Sequence, residues 1–297
     1  MKNLYLILTV IVLNSCRERE LSVEFPYEGD RMVVYCLLNP TEVVSVRVSK
    51  TYPPTGKVVY DDIDEAEVLL YENDKLVERL AYTNKGIYQS SSHFKPRAGY
   101  VYSLKINAPT LPSITTTQEE VPIMPKIVSC EFDKKIESTM NKGKPARKLI
   151  LKMQDDINKA NFYSVRADGV WQNNKSGLSG FALDQASGSE SPCYFMHWGS
   201  LILSDACFQN SIYELNRGYE TDAFFNIDNT FKAKDLDRIV VQIRQLNKSY
   251  YEYCRTFYNA EDLEKAFIPP YPQYNNIIGG YGIFGACNEI EIAFAGK

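Results

Sequence analysis

The chain has 297 residues, of which 44% are hydrophobic, so it can bury a large core as one large domain or two medium ones. Its 33 basic and 37 acidic residues give a net charge of -4, which leaves no basic excess to neutralise a phosphate backbone and argues against nucleic-acid binding. With 21 tyrosines and 14 phenylalanines against 2 histidines, the composition favours strands and leaves little material for acid–base or metal chemistry.

The first sixteen residues are typical of an export signal. Lys2 precedes an unbroken apolar stretch over 4–13, and this stretch is too short to span a bilayer, since a helix needs roughly 20 residues to do so. The box Leu-Asn-Ser-Cys then ends at Cys16 and resembles a bacterial lipoprotein signal. We expect a signal peptide over 1–16 that ends at a lipidated Cys16, with a charged tether over 17–30. The alternative is an ordinary cleaved signal followed by a chance cysteine.

Six further cysteines remain after Cys16, and an even number in an exported chain permits disulfides. Six cysteines allow many connectivities, so the sequence alone does not assign them. The best single candidate is a Cys193–Cys207 disulfide, because a polar loop precedes the pair and the enclosed segment is short. Closing a loop of that size adds about 3 kcal/mol to stability by chain entropy. For Cys36 and Cys287, which lie in apolar runs, buried free thiols are the alternative.

The region over 31–122 has the pattern of an antiparallel β-sandwich. An apolar run covers 32–38, and residues 44–49 alternate between apolar and polar with the period of a half-buried strand. Further strand patterns lie at 67–71, 75–80, 86–88, 100–106 and 113–118, and the first two of these flank a hairpin turn at 72–74. About seven strands at spacings of about 8 to 12 residues predict an immunoglobulin-like or transthyretin-like fold. Such modules usually bind, space or brace other molecules and seldom catalyse.

The region over 123–297 is predicted to be a second, β-rich domain with one prominent helix. A proline-punctuated stretch over 121–125 marks the boundary. Strand patterns lie at 148–153, 162–165, 239–246 and 287–294. Residues 172–192 are rich in Asn, Ser and Gly and predict a long loop, where binding residues tend to concentrate.

The prominent helix is predicted near 248–266. The segment 247–249 can cap it, and Glu252 completes a capping box with Ser249. The helix carries an apolar stripe made of Tyr250, Tyr253, Cys254 and Phe257. We interpret this stripe as core packing in preference to a ligand platform.

A glycine motif over 280–285 matches the phosphate-binding pattern G-x-G-x-x-G. That pattern binds a pyrophosphate only between a strand and a following helix, whereas residues 287–294 alternate like a terminal strand. We therefore expect these glycines to allow turns, bulges or close approach of neighbouring strands.

Catalytic and metal-binding motifs are not evident in the sequence. Cys193, His197 and Cys207 could supply three zinc ligands, but no fourth is evident, and a disulfide is favoured. The acidic pairs near 61–65 and at 155–156 lack the spacing of a calcium loop. We predict no catalytic residue, no metal and no cofactor. The abundant tyrosines either line a peptide or sugar site or fill β-rich cores.

Three stretches carry a resemblance to a known family. They are Val-Tyr-Cys-Leu-Leu-Asn-Pro at 34–40 with the alternating strand after it, Ile-Asp-Glu-Ala-Glu-Val-Leu-Leu-Tyr-Glu-Asn at 63–73, and Gly-Gly-Tyr-Gly-Ile-Phe-Gly-Ala at 279–286. With these stretches the chain resembles the DUF4249 family of Bacteroidetes outer-membrane lipoproteins. None of the stretches is a catalytic motif, so the resemblance implies a fold and a setting more than a mechanism.

The resemblance implies a non-enzymatic lipoprotein, anchored in the outer membrane by its lipid, that works with a TonB-dependent-receptor-like β-barrel. One hypothesis is a ligand-capture or lid-like subunit that passes a peptide, glycan or chelate to the barrel. The alternative is a structural subunit of an outer-membrane assembly or export complex. A pocket lined by tyrosines with converging polar groups would favour the first, and a broad apolar patch would favour the second. The alternating Arg and Glu at 17–20 leave the membrane face open.

Overall fold

The computed structural model of the protein describes most of the chain from residue 27 onward. The described residues are 27, 29–52, 61–156, 158–171, 174–178, 180–182, 193–207, 212–220, 237–260 and 273–296. The predicted signal peptide, the lipidation at Cys16 and most of the predicted tether over 17–30 lie outside them. No helix among the described residues is long and apolar enough to cross a bilayer.

Strands dominate the described chain, as the aromatic and β-branched composition predicts. The first ten strands are β1 Met32–Leu38, β2 Ser45–Lys50, β3 Asp61–Asp62, β4 Glu67–Glu72, β5 Lys75–Asn84, β6 Ile87–Gln89, β7 Val101–Asn107, β8 Ile114–Thr116, β9 Glu119–Glu120 and β10 Ile127–Glu137. The next ten are β11 Pro145–Gln154, β12 Phe162–Trp171, β13 Asn174–Gly177, β14 Gly180–Ala182, β15 Tyr194–His197, β16 Ser200–Ser204, β17 Ile212–Glu220, β18 Arg238–Leu246, β19 Ile277–Ile278 and β20 Tyr281–Ala295. The one α-helix of the described part, α1, spans Lys248–Ala260, and a 3₁₀ turn spans Asp205–Cys207.

The first strands enclose a core of their own. β1, β2 and β6 pair in one layer, and β4, β7 and β8 pair in another. β5 pairs with β4 in its first half and with β6 in its second half, so it links the two layers. Alternate side chains such as Val34, Val46, Leu70 and Leu104 point into the space between the layers and are fully buried. A mainly β fold that begins with a sandwich-like region is thereby confirmed.

The predicted hairpin at 72–74 is present as a tight two-residue turn. Asn73 and Asp74 have φ angles of 46° and 61°, and Glu72 lies opposite Lys75. Positive φ at both central residues defines a type I′ turn, whose twist matches that of the flanking strands. Asn and Asp tolerate this backbone conformation, so the local sequence and the turn agree.

A second pair of layers lies further along the chain. One layer has the order β15-β16-β12-β18-β20, and the other has the order β10-β11-β17-β14. Tyr163 and Val165 of β12 and Ile243 of β18 point between the layers and contribute to one hydrophobic core. Because side chains alternate along a strand, the neighbouring residues of β12 and β18 point to the opposite, outer face. Helix α1 packs on part of that outer face.

The last strand, β20, takes part in both arrangements. Its residues 281–286 pair in parallel with β1, and its residues 287–295 pair antiparallel with β18. The short strand β19 also returns to the first region, where it pairs with β8. The sequence patterns do not reveal this return of the chain end. The predicted boundary between two domains, at residues 122 and 123, stays a prediction.

The glycines over 280–285 have the backbone role that the sequence predicts. Gly282 has a φ of 116°, and an added Cβ would lie 1.9 Å from the carbonyl oxygen of Val34. A Cβ at Gly285 would lie 2.9 Å from the Cβ of Tyr250. Gly282 therefore lets β20 approach β1, and Gly285 lets helix α1 lie directly on the sheet.

The predicted loop over 172–192 is wrong in part. It contains β13, which pairs with β12, and β14, which pairs with β17. The sequence pattern does not reveal these strands because they contain few apolar residues. Each is a short strand that pairs with one neighbour and needs few apolar side chains of its own. Residues 183–192 of the predicted loop lie outside the described residues.

The predicted helix begins where expected, but its cap differs in detail. The side-chain oxygen of Asn247 accepts a hydrogen bond from the backbone N–H of Tyr250 at 3.0 Å, so Asn247 is the N-cap. Ser249 and Glu252 do not form the predicted capping box. Ser249 donates instead to Glu119 at 2.7 Å, and Glu252 forms an ion pair within the helix. The predicted continuation over 261–266 lies outside the described residues.

Candidate functional site

A cavity of about 440 Å³ lies beside helix α1 on the outer face of the second region. Five parts of the chain line it, namely β1, β12, the hairpin formed by β15 and β16, β18, and α1. Its volume lies within the usual range for small-molecule sites. The cavity combines a polar floor with an aromatic wall, and each has a distinct structural origin.

Alternation along two paired strands produces the polar floor. Ser164, Arg166 and Asp168 come from β12, and Gln242 and Arg244 come from the neighbouring β18. The register places Ser164 opposite Arg244 and Arg166 opposite Gln242, so these side chains form one surface. The intervening residues of both strands are apolar and lie in the core beneath. The floor is therefore the outer face of a rigid, fully paired part of the sheet.

The acidic group of the floor is neutralised by its neighbours. Arg166 donates from Nε to Oδ1 of Asp168 at 2.7 Å, and the Lys175 ammonium lies 3.5 Å from the same carboxylate. Lys175 also lies 2.9 Å from Glu291 of β20. Asp168 is only 3% exposed, so burying it requires this compensation.

The second guanidinium of the floor is also paired. Arg244 donates from Nε to Oε2 of Glu289 at 2.8 Å. Burial is the largest single influence and opposes the charge on both groups, but the hydrogen bonds and the charges around them together outweigh it, so the pKa of Arg244 is raised and the pKa of Glu289 is lowered. Lys175, Glu289 and Glu291 lie beside the floor, and with them three cations are paired with three anions, so the paired groups together carry no net charge.

The wall is a continuous row of aromatic rings. Tyr35 of β1 lies edge-on to Tyr253 of α1 at 6.4 Å between ring centroids. Phe257 follows Tyr253 at 6.4 Å, and Trp198 follows Phe257 at 6.1 Å. Tyr253 and Phe257 are four residues apart, so the helix presents both on one face. These distances are those of favourable aromatic contacts.

The predicted role of the helix stripe is therefore corrected in part. Cys254 is 1% exposed and packs in the core, as predicted. All four residues of the stripe also border the cavity, where Tyr253 and Phe257 belong to its aromatic row, and Tyr250 packs against the core cluster of Cys254 as well. Tyr251, one position outside the predicted stripe, takes the core role and stacks on Phe162 with 4.3 Å between ring centroids.

Trp198 is held in an unusual position at the rim of the cavity. It is 71% exposed, and with Gly199 it forms the two-residue turn between β15 and β16. The φ angles of 48° and 76° again indicate a type I′ turn, in which Asn is preferred at the first central position. A bulky residue at positive φ costs about 1–3 kcal/mol and persists where the surroundings enforce it, often at ligand clamps. Arg166 contributes by donating to the Trp198 carbonyl at 2.9 Å.

His197 borders the same cavity but has no metal-binding partners among the described residues. Its ring lies edge-on to Phe257 at 5.5 Å and to Trp198 at 6.2 Å. Burial lowers the pKa of His197, so the imidazole is neutral near pH 7. No group of His, Cys, Asp and Glu suited to a metal ion occurs in the described part of the chain.

The predicted Cys193–Cys207 disulfide stays a prediction, because the side chain of Cys207 lies outside the described residues. The carbonyl of Cys193 accepts a hydrogen bond from the N–H of Ser204 at 2.9 Å, beside the 3₁₀ turn that ends at Cys207. Among the described cysteines, the free thiols are Cys36, Cys130, Cys254 and Cys287. Burial raises the pKa of Cys36 to about 12 and that of Cys287 to about 12, so neither is a reactive thiolate.

A second cavity of about 560 Å³ lies where the stretch 119–125 meets the start of helix α1. Beside it, the buried carboxylate of Glu119 accepts hydrogen bonds from Asn247, Ser249 and Asn276. Through these bonds the Glu119 carboxylate joins three segments of the chain, and its oxygens are already hydrogen-bonded. We assign this region a structural role.

The sequence reasoning missed the polar floor and Trp198. Single charged residues on strands are usually solvated, so Arg166, Asp168 and Arg244 carry no local sign of a shared site. The signal that could have found the site is the dipeptide Trp198-Gly199, because it places an aromatic residue where a tight turn favours Asn.

Comparisons with known proteins identify a family but not an activity. The model of DUF4249, a domain of unknown function, matches residues 18–292. No curated protein matches the chain. One similar solved structure is the collagen-binding domain of the surface protein RspB from Erysipelothrix rhusiopathiae. It shares 11% identity over 87% of this chain and 96% of its own, with a TM-score of 0.21, which is too low to support an argument.

Proposed function

The chain belongs to the DUF4249 family, and from that premise we propose that it is a non-enzymatic ligand-capture subunit of an outer-membrane β-barrel. In this proposal a lipid on Cys16 anchors the protein in the outer membrane of a Bacteroidetes cell. The partner is a TonB-dependent-receptor-like barrel, to which the protein passes its ligand. The anchor rests on the sequence up to Cys16, and the barrel partner rests on the family resemblance.

One observation carries ligand capture: the cavity of about 440 Å³ with an aromatic wall and a few converging polar groups. This combination is the usual form of a small-molecule site, in which aromatic surfaces give affinity and polar groups give orientation. The strained, exposed Trp198 supports the same function, because Asn at this position would form the turn with less strain. The pairing of Arg166 and Arg244 with carboxylates supports binding over catalysis, because a catalytic group would need a perturbed, available charge.

A pull-down from the native outer membrane tests the proposal. The tagged, lipidated protein is extracted in mild detergent, and co-purifying proteins are identified by mass spectrometry. We expect stoichiometric recovery of one TonB-dependent barrel. Recovery of barrel-assembly components would favour the structural alternative, and recovery of no partner would contradict both.

Two variants sharpen the pull-down. Cys16→Ser removes the lipidation site and is expected to release the protein from the membrane fraction. Trp198→Ala alters the cavity rim, so barrel recovery that survives this change shows that the barrel does not dock through the cavity. Circular dichroism of both variants checks that they fold.

A further inference from the structure

The aromatic row offers a surface suited to a ring that has an apolar face. Tyr35, Tyr253, Phe257 and Trp198 follow one another at 6.1 to 6.4 Å between centroids. Tyr35 is 45% exposed and Trp198 is 71% exposed, so a ligand can reach both ends of the row. The C–H faces of a pyranose pack well on such rings, because these aromatic faces carry partial negative charge.

The floor offers hydrogen-bonding groups suited to hydroxyls. A guanidinium carries several N–H donors, and the hydrogen bonds within the described residues use two on Arg166 and one on Arg244. Ser164 and Ser200 add hydroxyls, and Gln242 adds an amide, at the same cavity. A sugar ring has hydroxyl groups along its edge and apolar C–H groups on its faces. The guanidinium and amide donors of the floor suit the edge, and the aromatic wall suits a face.

The charge balance of the floor selects against ionic ligands. The three cations and three anions are already paired at 2.7 to 3.5 Å. A carboxylate or phosphate ligand that approached either guanidinium would be repelled by Asp168 or Glu289, which already lies against it, so its attraction to the guanidinium is largely cancelled. A neutral ligand can use the remaining donors without breaking either pair.

From these three observations we propose that the cavity binds a neutral carbohydrate, with sugar rings stacked along the row from Trp198 to Tyr35 and hydroxyls on the floor. This inference rests on the proposed ligand-capture function and names its ligand class. The volume of about 440 Å³ accommodates a short oligosaccharide segment. Arg166 is a positioning residue, because it holds the carbonyl of Trp198 while it faces the cavity.

The first test is a glycan array that carries neutral, sialylated and uronic-acid-containing glycans. We expect binding to a set of neutral glycans and none to their acidic counterparts. The chain contains 2 tryptophans, so Trp171→Phe leaves Trp198 as the sole tryptophan. Titration of this variant with the best neutral oligosaccharide is then expected to give a saturable change in Trp198 fluorescence.

Variants test whether binding uses the aromatic row. Trp198→Ala and Tyr253→Ala are each expected to weaken the affinity measured by calorimetry about tenfold or more, since stacked aromatic residues dominate such sites. Tyr82→Ala is the matched control, because Tyr82 is 43% exposed but lies on β5 of the first region. Unchanged affinity in both row variants, with intact circular dichroism, would overturn the proposal.

Different results would contradict the carbohydrate proposal and the proposed ligand-capture function. Binding of the aromatic peptide Ala-Phe-Ala in the absence of any glycan binding would overturn the carbohydrate while ligand capture stands. Preference for acidic glycans would overturn the argument from paired charges. Absence of binding to every glycan would overturn the carbohydrate, and the pull-down would then decide whether the barrel partnership survives.

Discussion

Three tight turns of the same type allow the two regions of the molecule to be compared. In the first region Asn73-Asp74 and Lys85-Gly86 connect strands with positive φ at both positions. In the second region Trp198-Gly199 has the same backbone conformation. The first two turns carry polar residues that suit an exposed turn, whereas the third exposes an indole beside a cavity. All three turns have positive φ at both positions, but only Trp198 is poorly suited to it. We therefore attribute the presence of Trp at this position to function and not to folding.

The polar groups of the two regions differ in the same way. In the first region the carboxylate of Glu78 on β5 accepts hydrogen bonds from the side chains of Ser90, Ser91 and Ser92, which joins the loop after β6 to β5. In the second region Arg166 and Arg244 are paired and yet line a cavity. The first arrangement stabilises the fold, whereas the second places guanidinium donors at the surface of a cavity.

The largest expected loss of stability comes from a substitution in β20, the strand that both regions share. Gly282→Ala places a Cβ against the carbonyl of Val34 at a φ of 116°, so we expect the free energy of unfolding to fall by about 3 kcal/mol. The matched control is Gly143→Ala, because Gly143 also has a positive φ of 83° but has no atom within 4 Å of an added Cβ. Urea denaturation measures both variants. Equal losses would mean that the close approach of β20 to β1 does not matter.

The next effect concerns the hydrogen bonds between Glu78 and the serine loop of the first region. Burial alone would raise the pKa of Glu78, but hydrogen bonds from Ser90, Ser92 and Ser91 outweigh it and lower the pKa to about 2. The stabilisation is therefore present above the ordinary pKa near 4.5 and is lost as the pH falls toward 2. Glu78→Gln is expected to cost roughly 2 kcal/mol at pH 7 and little near pH 2.

Thermal unfolding from pH 7 to pH 2 measures this difference between the wild-type protein and Glu78→Gln. The exposed Glu65, changed to Gln, is the control and should follow the wild-type curve at every pH. A wild-type advantage over Glu78→Gln that persists unchanged to pH 2 would contradict the assignment.

A smaller change, a gain of stability, is expected when the turn at Trp198 is given the residue that such turns prefer. Trp198→Asn puts the preferred residue into the type I′ turn, so we expect stability to rise by about 1 kcal/mol. The same change is expected to reduce ligand affinity, because it shortens the aromatic row. Denaturant unfolding and calorimetry on one preparation measure both quantities. A loss of stability would mean that the indole contributes more to packing than the strain costs.

The smallest effect comes from the reciprocal change in the first region. Lys85→Trp puts an aromatic residue at the equivalent position of the Lys85-Gly86 turn, where φ is 46°. We expect a loss of about 0.5 kcal/mol and no gain of ligand binding, since Lys85 is not among the residues that line the cavity beside helix α1. A gain of stability here would show that the turn tolerates Trp without strain.

The fold could be predicted from local pattern to a considerable extent, and the site could not. The alternation at 44–49 and 239–246 places the strands and their buried faces because one face must be apolar. The return of 277–286 to the first region is not visible locally, since strand pairing at long range leaves no periodic mark. The helix stripe shows the same limit, because the stripe pattern does not reveal that Cys254 is buried while Phe257 extends the aromatic row.

By itself, the sequence determined a mainly β chain, the turn at 72–74 and the start of its helix, because each depends on the conformational preferences of a few adjacent residues. Only the tertiary structure brought Tyr35, Arg166, Trp198, Arg244 and Tyr253 to one cavity, although up to 218 positions separate them along the chain. The physical reason is that packing and ion pairing depend on distances in space, which are set by sheet order and by the helix that Gly285 admits onto the sheet.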